Sequence, residues 1–236
     1  MNNILSHSTS FASASMLALI LGLSATTVYS TPFTITAQLT GDPRPSNPDN
    51  LIVDVKITGD TTSNTTFWTF DINSPLHSDI KLHEFYFNLT GLATDYSFGG
   101  FNPIGWAVES PADNAAGSGG ADFLFKSLDQ PGPPNAADVT NTQDLTFTAT
   151  RLTGNWDPTI FLNASNAISN DTVLGEGQLG AHLQSLTCTF AGCSDSGFAF
   201  GGYETVDPPR ETPEPATLAL LGLGLAGLGW SRRRKN

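Results

Sequence analysis

Apolar and polar residues alternate along much of the chain, which is the pattern of strands with one buried face. Between residues 33 and 39 every second residue is apolar, and residues 51–58 repeat the alternation. The Pro- and Asn-rich segment 41–50 separates the two runs, so we predict an early antiparallel pair of strands joined by a loop. No long apolar stripe with helical spacing accompanies them.

Short segments of the same kind recur further along, with turn residues between them. We predict additional strands at 65–72, 81–89, 96–98, 105–109, 122–126, 145–152, 159–162, 180–186 and 197–203. Segments 111–120 and 130–143 are predicted to be loops. Many short strands separated by turns are typical of all-β folds. We therefore predict a single antiparallel β-sandwich or jelly-roll domain spanning residues 31–207.

Aromatic residues are numerous in the middle of this domain. We interpret most of them as core, because residues of one strand parity, such as Phe85 and Phe87, are what a buried sheet face requires. The alternative is a sugar-stacking platform, in which an aromatic face covers the apolar side of a pyranose. Trp156 lies between Gly154 and Asp157 in a turn-like context, so we predict that it is near the surface.

Both ends of the chain differ from the domain between them. Residues 1–30 contain an apolar stretch of signal-peptide length at 11–23, followed by small residues and a candidate cleavage site at 28–30. The first ten residues lack Lys and Arg, which departs from the usual basic start of a signal peptide. We predict that residues 1–30 are a signal peptide and that the mature chain is exported.

The C-terminal end has three parts in a fixed order. Segment 208–215 is a linker that ends in Pro213, Glu214 and Pro215, and an uncharged apolar run occupies 216–230. We predict that this run is a short transmembrane helix. At about 1.5 Å per helical residue it covers about 22 Å, less than a bilayer core of about 30 Å, which suits transient retention before processing better than permanent membrane residence. The basic tail 231–236 should stay cytoplasmic; its basic residues are Arg232, Arg233, Arg234 and Lys235.

This order of Pro-Glu-Pro, short Gly- and Leu-rich helix and Arg cluster resembles the PEP-CTERM sorting signal of exopolysaccharide-producing Gram-negative bacteria. The resemblance covers residues 212–236 and implies recognition by exosortase, a membrane-embedded processing enzyme that removes the tail. It also implies a membrane-anchored intermediate, followed by a location at the cell surface or in the extracellular matrix of a biofilm. The alternative is an ordinary C-terminal membrane anchor that follows a Pro-rich linker.

The charge balance of the mature domain limits its partners. The chain has a formal net charge of −12, and nearly all of its acidic residues lie between the two terminal segments. So acidic a surface repels phosphate backbones, and we predict no nucleic-acid binding. Neutral glycans such as extracellular polysaccharide, divalent cations and basic surfaces are the compatible partners.

The two cysteines, Cys188 and Cys193, are separated by four residues near a predicted hairpin. In an exported protein this spacing favours a structural disulfide, whereas two thiols alone make a poor zinc site. A short loop gains little entropic stabilisation, so the bond would mainly fix local shape.

Catalytic motifs are not apparent in the sequence. His77, His83 and His182 have no recognisable catalytic or metal-binding spacing, and we interpret His182 as a satisfied polar residue. We therefore predict no enzymatic activity. Paired carboxylates for glycoside hydrolysis stay open as an alternative, because they act through a separation in space that the sequence does not reveal.

Calcium is the one cofactor that we consider. The loop 42–50 concentrates side-chain oxygens, with Asp42 and Asp49 as weak candidate ligands, but its spacing departs from the EF-hand pattern. A solvated connecting loop is the simpler interpretation.

The sequence as a whole leaves two functional hypotheses. The first is an exported, non-catalytic envelope or matrix protein with a structural or adhesive role. The second is a secreted lectin-like module or polysaccharide hydrolase.

Overall fold

The computed structural model describes residues 30–41, 46–115, 121–129, 138–167 and 177–206. Within these residues the regular elements are almost all β-strands. The strands are β1 (Pro32–Gly41), β2 (Ile52–Asp60), β3 (Thr65–Ile72), β4 (Lys81–Phe87), β5 (Tyr96–Asn102), β6 (Trp106–Glu109), β7 (Ala112–Ala115), β8 (Ala121–Phe123), β9 (Phe125–Asp129), β10 (Leu145–Arg151), β11 (Leu179–Gln184), β12 (Ser196–Gly201) and β13 (Glu204–Thr205). A 3₁₀ turn (Ala93–Asp95) and a short helix α1 (Thr159–Leu162) accompany them.

Eleven of these strands form one antiparallel sheet. Its order is β5-β10-β3-β2-β1-β12-β11-β4-β9-β6, with β13 paired to β1, and β7 and β8 form a separate two-stranded sheet. The terminal strands β5 and β6 contact each other, so the large sheet is nearly closed. The all-β, antiparallel prediction is confirmed. In place of the two sheets of a sandwich there is one continuous sheet, which curves until its end strands β5 and β6 meet.

The predicted alternation places one face of each strand in the core. Along one row of the sheet, Ile35 pairs with Ile57, Ile57 with Trp68, and Trp68 with Phe147. All four side chains are fully buried. The predicted antiparallel pairing of the first two strands is therefore confirmed, and its apolar parity faces inward.

Aromatic rings fill the space that the curved sheet encloses. The ring centroids of Phe70 and Phe85 lie 4.1 Å apart, although four strands separate β3 from β4 in the sheet order. Trp68 packs in the same way against Phe87, at 5.1 Å. Most of the mid-chain aromatics are buried, so the core interpretation is confirmed, while Phe67 is 49% exposed on the outer face.

Residues 159–162 form helix α1 and not the predicted strand. The β-branched Thr159 and Ile160 favour a strand, but Pro158 begins the turn and the Asp157 carboxylate accepts hydrogen bonds from the Thr159 amide (2.8 Å) and hydroxyl (2.6 Å). Such a local hydrogen bond stabilises a turn and helix start. Ile160 and Phe161 are then buried by the core instead of by neighbouring strands.

Trp156 is only 1% exposed, so the prediction that it lies near the surface is wrong. Its ring stacks on Phe161 at 5.2 Å, and its Nε1 donates a hydrogen bond to the Asn64 carbonyl at 2.8 Å. The neighbouring Gly154 and Asp157 indicate a turn, but they do not indicate which way the Trp156 side chain points. In the structure the indole points into the core. The predicted loop 111–120 also differs, because Ala112–Ala115 forms β7.

Candidate functional site

An irregularity in β4 brings two adjacent polar residues to the same face of the sheet. Leu82 pairs with Leu183 and Glu84 pairs with His182, so His83 is an extra residue in the ladder. Such a bulge turns two successive side chains of one strand towards the same side. His83 and Glu84 therefore both face outward, opposite His182 on β11.

The three side chains meet on the outer face. The Nδ1 atoms of His83 and His182 share a hydrogen bond at 3.2 Å, and His182 Nδ1 lies 3.8 Å from Glu84 Oε2. One ligand atom from each residue lies within 4.8 Å of the other two. All three are half-buried, so they are shielded from bulk solvent but still accessible. We call His83, Glu84 and His182 the His-Glu-His cluster.

Neighbouring groups hold the His-Glu-His cluster in place. The Tyr86 hydroxyl donates a hydrogen bond to Glu84 Oε2. Lys126 Nζ lies 3.9 Å from Glu84 Oε1 and forms a closer ion pair, 2.8 Å, with Glu109. The ring of Phe198 stacks on His182 at 4.3 Å with nearly parallel planes. These contacts come from β4, β9, β6 and β12, all rigid parts of the large sheet.

The electrostatics of the cluster keep Glu84 ionised. Burial by itself would raise the pKa of the Glu84 carboxyl, but the interactions with His182 and Tyr86 and the nearby positive charge outweigh it and lower this pKa to about 2. Burial lowers the pKa of His83, an effect that the charge of Glu84 partly offsets. Glu84 is therefore an ionised carboxylate at neutral pH.

Sequence reasoning missed this cluster, although a signal was present. Leu82 and Phe85 are both buried with two residues between them, which interrupts the strict alternation of β4. That interruption marks a bulge. It does not reveal the partner strand, since His182 is 99 residues away in the chain.

A second polar feature lies on the outer face of β1, β2, β3 and β10. Asp54 pairs with Asp71, and Asp144, directly before β10, continues this row because Leu145 pairs with Phe70. The row lines an open groove of about 470 Å³. Other lining residues include Thr36, Gln38, Lys56, Thr69 and Glu204.

Repulsion within this row changes the titration of Asp71. Partial burial, together with the charges of Asp144 and Asp54, raises the pKa of the Asp71 carboxyl above its ordinary value of 3.8. The folded state therefore favours the protonated form, and the ionised form at neutral pH reduces stability. Like charges directly opposite each other on neighbouring strands have this effect in general.

We expect Asp71→Asn to increase the free energy of unfolding at pH 7 by about 0.5 kcal/mol, which corresponds to about 1–2 °C in Tm. The gain should shrink as the pH falls through the raised pKa of Asp71, because the wild-type carboxyl then becomes neutral as well. Thermal denaturation between pH 7 and pH 3 measures this. Asp79→Asn removes the same charge from an exposed turn and controls for net charge; a loss of stability in Asp71→Asn at pH 7 would contradict the prediction.

The residues predicted from the sequence have different outcomes. Cys188 and Cys193 form a disulfide in the loop between β11 and β12, as predicted. Asp49 is exposed, and its backbone carbonyl accepts a hydrogen bond from the buried His77 at 2.7 Å. Asp42 lies outside the described residues, so the solvated loop, with calcium as its alternative, stays a prediction.

The terminal signals also lie outside the described part of the chain. This applies to the signal peptide, to Pro213, Glu214 and Pro215, to the predicted span 216–230 and to the basic cluster. Among the residues that the structure does describe, no helix is long and apolar enough to cross a membrane.

Comparison with known families identifies the C-terminal signal. The PEP-CTERM protein-sorting motif matches residues 211–234, which include the Pro-Glu-Pro triplet, the apolar run and three of the clustered arginines. The chain carries the PEP-CTERM protein-sorting motif. Beyond this motif, no curated protein and no solved structure shows significant similarity to the chain.

The PEP-CTERM assignment establishes how the chain is handled by the cell. The motif marks an exported protein that is sorted through exosortase, a membrane enzyme, with a membrane-anchored intermediate before release at the cell surface. The motif covers the tail and carries no information about the activity of the β domain, whose function has to be inferred from its own surface.

Proposed function

We propose that this PEP-CTERM protein is a non-catalytic component of the cell envelope or extracellular matrix, with a structural or adhesive role. The sorting motif at residues 211–234 is the observation that carries the proposal, since it directs the β domain to the surface. The dense aromatic core and the nearly closed sheet suit a scaffold outside the cell. The strongly acidic composition favours contact with neutral or cationic matrix components and not with nucleic acid.

The test uses the exported protein purified from an exosortase-competent host. It is incubated with a panel of extracellular polysaccharides, and released sugars are measured alongside binding on a glycan array. We expect no turnover of any substrate. Turnover that is abolished by replacing a single carboxylate of the protein would overturn the non-catalytic proposal and favour a hydrolase.

A second candidate function is carbohydrate binding, and the groove on β1, β2, β3 and β10 favours it. Its volume falls in the range of small-ligand sites. Its hydroxyl, amide and carboxylate groups can bond to sugar hydroxyls. Phe67 lies on the same face of β3 as the groove residue Thr69 and is 49% exposed, which leaves an aromatic surface for a pyranose ring.

For the lectin-like alternative we expect Phe67→Ala to weaken glycan binding by about tenfold, the loss of roughly 1–1.5 kcal/mol of stacking. Isothermal titration with the best glycan from the array measures this. Leu92→Ala, which truncates another exposed apolar side chain (69% exposed), is the matched control and should bind normally. Equal affinities of the two variants would show that Phe67 is no part of a sugar site.

A further inference from the structure

The ligand atoms of the His-Glu-His cluster lie within 4.8 Å of one another, and the two histidines are already at the separation that a bound transition metal requires. Ligands at about 2.0–2.1 Å from a tetrahedral metal lie about 3.3–3.4 Å from one another. The Nδ1 atoms of His83 and His182 are 3.2 Å apart. The 3.8 Å between His182 Nδ1 and Glu84 Oε2 is a few tenths of an ångström too long, which a small rotation of the Glu84 side chain corrects.

The surrounding contacts orient the side chains of His182 and Glu84 before any ion binds. Both histidines and Glu84 lie on paired strands of the large sheet, β4 and β11, so their backbones are fixed by the ladder. Phe198 fixes the ring plane of His182, and the Tyr86 hydroxyl holds Glu84 Oε2 through one of its lone pairs. Hydrogen-bonded outer groups of this kind set ligand orientation in metal sites. A carboxylate oxygen has two lone pairs, so Oε2 can coordinate an ion while it keeps the Tyr86 hydrogen bond.

The positive charge of Lys126 is the feature that opposes a cation here. Its ammonium is 3.9 Å from Glu84 Oε1 but 2.8 Å from Glu109, so it is paired chiefly with a different carboxylate. It approaches Glu84 through the oxygen that is not the nearest to His182. Glu84 and Glu109 together outweigh the single charge of Lys126, which leaves the surroundings net negative.

The donor set selects the class of ion. Two imidazole nitrogens and one carboxylate oxygen suit Zn²⁺ and related divalent transition metals, whereas Ca²⁺ and Mg²⁺ prefer all-oxygen sites. Three protein ligands leave a coordination position for water or an external donor. We propose that His83, Glu84 and His182 form a binding site for a divalent transition metal, Zn²⁺ in the first place, on the outer face of the β domain. None of its three residues belongs to the sorting motif or lines the groove on β1, β2, β3 and β10.

The test titrates ZnCl₂ into the exported protein after its treatment with EDTA and dialysis. Isothermal titration calorimetry should give one saturable site per chain. A hundredfold excess of Zn²⁺ over its Kd should raise Tm by about 5–10 °C. Co²⁺ bound in place of Zn²⁺ should show the visible absorption of a tetrahedral complex with nitrogen and oxygen ligands, a readout that a purely structural cluster lacks.

Ligand variants assign the binding to these residues. His83→Ala and His182→Ala should each weaken Zn²⁺ binding at least 100-fold, and Glu84→Gln at least tenfold, since even outer-shell changes cost 10–100-fold. Should an alanine variant not fold, the Asn variant at the same position replaces it. Gln184→Ala, two residues along the same face of β11, is the matched control and should bind as the wild type does.

Three results would overturn the proposal. The first is no saturable Zn²⁺ binding by the wild-type protein. The second is binding that folded His83 and His182 variants retain in full, and the third is equally tight binding of Ca²⁺ at the same stoichiometry. The last two would place the ion on the acidic surface and not at the His-Glu-His cluster.

Discussion

Trp68→Ala should lower the free energy of unfolding by about 3–5 kcal/mol, the range for truncating a large buried aromatic residue. Trp68 is fully buried, and its ring contacts Phe70, Phe87, Phe147 and other rings from several strands. Its removal leaves a cavity at the point where the opposite sides of the curved sheet meet. The Trp68 Nε1 also donates a hydrogen bond to the buried Thr66 hydroxyl at 3.0 Å, which would lose its partner.

Thermal and urea denaturation of the exported protein measure this effect. A loss of 3–5 kcal/mol corresponds to a fall in Tm of order 10 °C in a domain of this size. Phe67→Ala is the matched control, because Phe67 is the preceding residue on β3 but points to the exposed face. It should cost less than about 1 kcal/mol. Similar losses in the two variants would contradict the inward parity of β3.

Glu214→Gln should slow processing of the chain in an exosortase-competent host. Glu214 is the one carboxylate within the Pro-Glu-Pro triplet, so it is the one charged side chain there that a processing enzyme can recognise. Hydrogen bonds to a charged group contribute about 1.5–3 kcal/mol, so the processing rate should fall roughly 10- to 100-fold. The full-length chain should then accumulate in the membrane fraction.

Mass spectrometry of the membrane and released fractions reads the outcome. Wild-type released protein should lack the residues that follow the Pro-Glu-Pro region. Glu211→Gln, which removes a carboxylate three residues upstream, is the control and should be processed normally. Normal processing of Glu214→Gln would show that the enzyme does not recognise this carboxylate. An intact Arg-rich terminus on released wild-type protein would contradict processing of the tail altogether.

Much of the fold followed from local patterns in the sequence. The alternation in β1, β2, β3 and β10 is regular, and these strands were predicted almost to the residue, because a strand with one buried face imposes period two on its own side chains. The disulfide followed from the short spacing of Cys188 and Cys193 in an exported chain. Where a local hydrogen bond competed with β propensity, as at Thr159, the pattern gave the wrong element.

The His-Glu-His cluster could not be predicted in the same way. His182 occupies an ordinary outward position of β11, and His83 is the bulged residue of β4. The sequence around either histidine contains no motif that predicts a contact with the other. They meet because β4 and β11 are neighbours in the closed sheet and because the bulge at His83 changes the register by one residue. The groove aspartates could not be predicted either, because they meet across β3: Asp54 lies in β2, and Asp144 directly precedes β10.

The sequence by itself determined the destination of this protein and the β character of its domain. Both depend on contiguous residues: the sorting signal is a short linear segment that an enzyme reads along the backbone, and strand alternation is a property of neighbouring positions. Tertiary structure alone decided the single, nearly closed sheet, the burial of Trp156 and the meeting of His83, Glu84 and His182. These features arise from pairing between distant strands, whose register and closure are set by how all the aromatic side chains pack together in one core.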